Sequence, residues 1–103
     1  MTDVTITQEA GAALVRPGGN VVAASADSLR SAMREAVAGG VREMVVDLTG
    51  VEMIDSSGLG VLVSAHNSLN KLGGSLAVVH ASKEILDLFR LMRIHQHFSV
   101  SGD

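Results

Sequence analysis

Arg42-Glu43-Met44-Val45-Val46-Asp47-Leu48 and, past Thr49–Ile54, Asp55-Ser56-Ser57-Gly58-Leu59-Gly60 are the two stretches from which the fold is read. The first is a run of β-branched and apolar residues of strand length. Beyond the second, Leu59, Leu62, Val63, His66, Leu69 and Leu72 recur at helical spacing, so an apolar strand gives way to an amphipathic helix. Ser56 and Ser57 therefore fall at a helix N-terminus. The first backbone N–H groups there lack intrahelical partners, and the macrodipole adds roughly +0.5 charge. Such an end receives anions, and a phosphoryl group carried on a serine hydroxyl is compatible with it. The commoner role of serine at a helix start is a cap worth about 1 kcal/mol, which Ser57 is expected to supply. Gly58 and Gly60 permit close approach to the backbone.

Working outward, Val4–Thr7 and Ala12–Val15 read as two short strands joined by a turn at Glu9-Ala10-Gly11, and they should pair antiparallel. Pro17-Gly18-Gly19-Asn20 breaks that pattern, and Val21-Val22-Ala23 is expected to resume the sheet edge. From Ser25, read as a cap, Leu29, Met33 and Ala36 or Val37 make an apolar stripe that Gly39-Gly40 ends. After the central helix, stopped by Gly73-Gly74, Ser75–His80 is the next strand. Ser82 caps a third helix carrying Ile85, Leu86, Phe89 and Met92, and Phe98-Ser99-Val100 is a last short strand. Strands alternating with helices predict parallel pairing and right-handed crossovers, with the first hairpin adding an antiparallel edge. The expectation is a mixed α/β sheet with helices packed on it, forming a single domain over residues 1–103.

Composition narrows the function classes. The chain has 103 residues, no cysteine, no Trp, no Tyr and two Phe. Disulfides, thiolate metal sites and cysteine nucleophiles are thereby excluded. The leading segment Met1-Thr2-Asp3-Val4-Thr5-Ile6 lacks a basic stretch followed by an apolar core, and no apolar run reaches the ~18 residues of a membrane span. A cytoplasmic protein without membrane insertion is expected. Eleven acids against eight bases give a net charge of −3, with Arg30 and Arg34 the only bases spaced to share a helix face. Nucleic acid is not an expected partner, because there is no basic footprint and no set of stacking rings.

Enzymatic readings fare poorly. Gly58 lies two residues after Ser56, half of a Gly-x-Ser-x-Gly nucleophile elbow, but Ile54 stands where the first glycine belongs. His66 and His80 have no sequence relation that would bring either beside Ser56. His95 and His97 would share one face if their segment were extended, yet two histidines without a third ligand do not define a zinc site. Asp47, Glu52 and Asp55 suggest Mg²⁺ only if a substrate phosphate joins them. No phosphate-binding loop is present. No cofactor is expected.

The segment Val45–Gly60, followed by Leu72-Gly73-Gly74-Ser75-Leu76 and Leu86-Asp87-Leu88-Phe89-Arg90-Leu91-Met92, closely resembles the STAS domain (sulfate transporter and anti-sigma factor antagonist), in particular the single-domain bacterial anti-sigma factor antagonists. The resemblance covers most of the chain and implies the same mixed-sheet architecture. It implies that Ser56, the first serine after the aspartate, is a phosphoacceptor, with Asp55, Ser57, Gly58, Leu59 and Gly60 forming the phosphosite loop and partner surface. It implies as partners an anti-sigma factor that is a serine kinase and a PP2C-type phosphatase; nucleotide binding is implied by family analogy only. The alternative within the family is a scaffold subunit of an ABC-type lipid transport or stress-signalling complex, without a phosphoserine cycle. One departure stands out: many members carry an acid shortly before the first helix, in a Gly-x-Leu-Asp pattern, where this chain has Val22.

Overall fold

The computed structural model describes residues 4–102. Met1, Thr2 and Asp3, which open the segment read for export signals, and Asp103 lie outside the described residues, as does the side chain of His95. Strands β1 (Thr5–Glu9) and β2 (Ala12–Arg16) form the antiparallel hairpin, in register from Thr5 opposite Arg16 to Glu9 opposite Ala12. Ala10 and Gly11 make the turn, both at positive φ (52° and 83°), as a two-residue type I′ connection requires.

Helix and strand then alternate: α1 (Ala23–Ala38), β3 (Glu43–Asp47), α2 (Ser56–Lys71), β4 (Ser75–Val79), α3 (Lys83–Leu91), a 3₁₀ turn (Ile94–Gln96) and β5 (Ser99–Val100). The sheet order is β1-β2-β3-β4-β5, and β2 to β5 run parallel. This is the mixed α/β sheet expected. Because strand order follows sequence order, right-handed crossovers carry all three helices to one face. Burial alternates accordingly. Val15, Val46 and Val78 pair in register and are sealed from solvent, whereas Leu14, Val45 and Ala77, one residue out of phase, are half-buried on the other face. The covering helices contribute Leu29, Met33 and Ala36 from α1, Leu62 and Leu69 from α2, and Ile85 and Phe89 from α3.

Several local expectations are corrected. Helix α1 starts at Ala23, not after Ser25. Ser25 lies inside the first turn, where its Oγ accepts from the Val22 N–H at 3.2 Å and donates to the Asn20 carbonyl at 2.8 Å. The resumed strand at Val21–Ala23 shrinks to one parallel bridge, Val21 with Ile54. Ser82 does cap α3, accepting from the Ile85 N–H at 3.3 Å, but Met92 ends that helix and is 53% exposed instead of packed. The segment around His95 and His97 is a 3₁₀ turn entered through Arg93 at φ 59°, so the extended strand that would have aligned the two histidines is not formed.

Candidate binding site at the paired helix starts

Asp55, and not Ser57, caps α2. Its Oδ1 accepts from the Gly58 N–H at 3.1 Å, satisfying one of the orphan donors of the first turn. Its Oδ2 accepts from the Ala23 N–H at 3.0 Å, the first residue of α1. One carboxylate thus serves two helix N-termini. The hydrogen bonds hold that carboxyl below the usual carboxylate range, the Gly58 N–H foremost, then those of Ala23 and Ser57, while desolvation opposes them.

The loops carrying these helix starts are stitched together along their length. The Val21 N–H donates to the Met53 carbonyl (3.0 Å), and the Asp55 N–H donates to the Val21 carbonyl (3.2 Å). The Asn20 Oδ1 accepts from the Glu52 and Met53 N–H groups at 2.9 and 3.1 Å. Gly58 completes the seam. A Cβ there would collide with the Val21 carbonyl oxygen and would lie 2.7 Å from Val21 Cγ1, so the close approach that Gly58 allows is to the chain's own backbone.

On this platform Ser56 is the first residue of α2 and is exposed. Because Asp55 supplies the cap, the Ser56 hydroxyl has no hydrogen-bond partner among the described residues. Ser57 is half-buried, and Leu59 is 7% exposed, its side chain belonging to the core. Gly60 is exposed, with open space where a Cβ would be. Met53, 57% exposed on the same loop, escaped the sequence reading, as did Asn20. Met53, between Glu52 and Ile54, carried no local signal; for Asn20 the signal was the Gly-Gly-Asn turn.

Of the residues considered for other chemistry, Asp47 is engaged apart from this platform. Asp47 accepts from the Thr49 hydroxyl (2.6 Å), the Thr49 N–H (2.9 Å) and Arg16 Nε (3.3 Å), and the Thr49 hydroxyl is the chief reason its carboxyl is held low. Among the described residues, no group of three or more His, Cys, Asp or Glu side chains is arranged to hold a metal ion. His66 lies ten residues beyond Ser56 on α2, about 15 Å along the axis, with its ring 5.5 Å from Phe98 and 6.3 Å from His97. It cannot serve as a base for Ser56.

The family model of the STAS domain matches residues 3–102. The chain belongs to the STAS domain family. An anti-sigma F factor antagonist of Paenibacillus polymyxa is 32% identical over 94 residues, covering 84% of this chain and 80% of that protein. The crystal structure of an anti-sigma factor antagonist from Mycobacterium paratuberculosis superposes with a TM-score of 0.88 at 22% identity, over 100% of this chain and 87% of that one. SpoIIAA, a Bacillus cell fate determinant solved in its phosphorylated form, gives a TM-score of 0.76 at 14% identity, over 98% and 93% of the two chains. The sequence relative is a regulatory protein, and the solved structures share the fold. Among the described residues, no helix of this STAS domain is long and apolar enough to cross a membrane.

Val22, where the family often has an acid, is the N-cap residue of α1 and makes no side-chain capping bond. A carboxylate nonetheless reaches this helix start, from Asp55 across the seam.

Proposed function

We propose that this STAS domain acts by binding and not by turnover, as an anti-sigma factor antagonist whose unmodified surface at Ser56 captures a serine-kinase anti-sigma factor and so frees a sigma factor. Transfer of a phosphoryl group from ATP to the Ser56 hydroxyl ends the association, and a PP2C-type phosphatase restores it. The observation that carries this reading is the division of labour at the start of α2: Asp55 takes the capping role, which leaves an exposed serine hydroxyl uncommitted. The identity with the Paenibacillus polymyxa antagonist, and a fold shared with a protein that takes a phosphorylated form, support it.

Electrostatics makes the switch local. A phosphate brings about −1.5 to −2 charges and is favoured at a helix N-terminus by roughly 0.3–1 kcal/mol, against repulsion from Asp55. The fold is therefore little affected. In a partner interface the same charge must be desolvated, and a mispaired buried charge commonly costs about 2–5 kcal/mol. Met53, exposed beside the site, supplies an apolar contact for the unmodified complex.

The test is incubation with the cognate kinase and ATP, phosphosite mapping, and affinity measurement on Ser56→Asp and Ser56→Ala. One phosphate on Ser56, at least about tenfold weaker binding by Ser56→Asp (about 1.4 kcal/mol) and retained binding by Ser56→Ala are expected. Phosphate on another residue, or Ser56→Asp binding like the parent, would replace this cycle with the scaffold role.

A further inference from the structure

Away from the Ser56 platform, α1 and α2 leave between them a cavity of about 240 Å³. Met33, Val37, Val61 and Ala65 give it an apolar lining. Arg30 and Arg34, one turn apart on α1, lie on one side of it, and Ser64 and Ser68, one turn apart on α2, on the other. Arg30 is engaged by Asp27 at 2.8 Å, whereas Arg34 has no ion pair among the described residues. Among the described residues, no acidic side chain lines the cavity. In a chain of net charge −3, this is a locally cationic, partly apolar recess.

We infer that this α1–α2 groove binds a small amphipathic carboxylate, its alkyl chain on the Met33–Val37–Val61–Ala65 lining and its carboxylate between Arg34 and the serine hydroxyls. Size sets the chain length: the cavity is below the ~300–1,000 Å³ of drug-sized pockets, and one helical turn of lining, about 6 Å, suits about six carbons. A carboxylate is preferred to a phosphate because the recess lies along helix interiors, where backbone N–H groups are spent within the helix. The available donors are guanidinium and hydroxyl groups, and the planar guanidinium fork matches a carboxylate. A partner protein is disfavoured by area, since a recess of this size is well short of the ~20–30 residues a side of a standard interface. The groove shares no residue with Asp55–Gly60, so the two proposals stand or fall separately.

Titration of the ¹⁵N-labelled protein with sodium hexanoate, followed by amide shifts, tests the inference. Saturable shifts confined to α1 and α2 around Arg34 and Ala65 are expected, with a Kd on the order of 1 mM or below. Arg34→Gln, at an exposed position that should not disturb folding, should weaken hexanoate at least fivefold, and Arg34→Lys should recover part of the loss. 1-Hexanol and inorganic phosphate should each bind at least fivefold more weakly. Equal affinity for 1-hexanol, equal affinity for phosphate, shifts mapping elsewhere, no saturation, or an Arg34→Gln protein that titrates like the parent would each overturn the proposal.

Discussion

The Asp55 carboxylate lies 3.0 Å from the backbone nitrogen of Ala23, 32 positions earlier in the chain, while its other oxygen caps its own helix. The starts of α1 and α2 are thereby fixed to each other. Asp55→Ala removes both bonds and should cost about 2 kcal/mol of stability, the upper part of the range for a lost cap. Asp55→Asn keeps one acceptor and should cost about half as much. Urea midpoints measure the cost, and faster amide exchange at Ala23 as well as Gly58 would show that both helix starts were released.

Gly58 and Gly60, two residues apart, should respond in opposite directions. Gly58→Ala forces a methyl group against the Val21 carbonyl and should destabilise by about 1–3 kcal/mol, as overpacking does. Gly60→Ala meets open space inside a helix and should stabilise by roughly 0.5–1 kcal/mol. If the partner's backbone approaches Gly60, the stabilised variant should bind at least fivefold more weakly. Thermal melts paired with partner titration separate the two effects.

Acid should unfold this protein partly through Asp47 and Asp55. Both carboxyls are held below their ordinary value in the folded state, Asp47 chiefly by the Thr49 hydroxyl and Asp55 chiefly by the Gly58 N–H. In the unfolded chain an aspartate takes up its proton near pH ~3.9. As pH falls through that region the unfolded state binds more protons than the folded one, so stability is lost; above about pH 5 the contribution is fully present. Urea midpoints measured from about pH 6 to pH 3 should fall, and Asp47→Asn should flatten the slope.

At the hairpin, Ala10 holds φ 52°, a left-handed conformation that costs an alanine roughly 1–2 kcal/mol. Ala10→Asn creates the Asn-Gly pair that type I′ turns favour and should raise stability by about 0.5–1 kcal/mol. An unchanged urea midpoint would show that the turn carries no such strain.

The sequence by itself determined the order and kind of the elements. Apolar period and turn chemistry are local properties, so Met33 and Leu29 marked the buried side of α1, Gly39 its end, Ser82 the start of α3, and the apolar run around Val46 a strand. The position of Ser56 at the start of a helix was legible in the same way. Only the tertiary structure decided which residue caps that helix, where α1 begins and what Gly58 approaches. Those outcomes depend on Asn20, Val21 and Ala23 meeting residues about thirty positions away, a pairing that exists only after β2 and β3 have aligned. A serine and an aspartate at a helix start are interchangeable as local signals, since each offers an oxygen to the same N–H groups. The choice falls to Asp55 because a carboxylate has a second oxygen, and folding brings the Ala23 N–H to it.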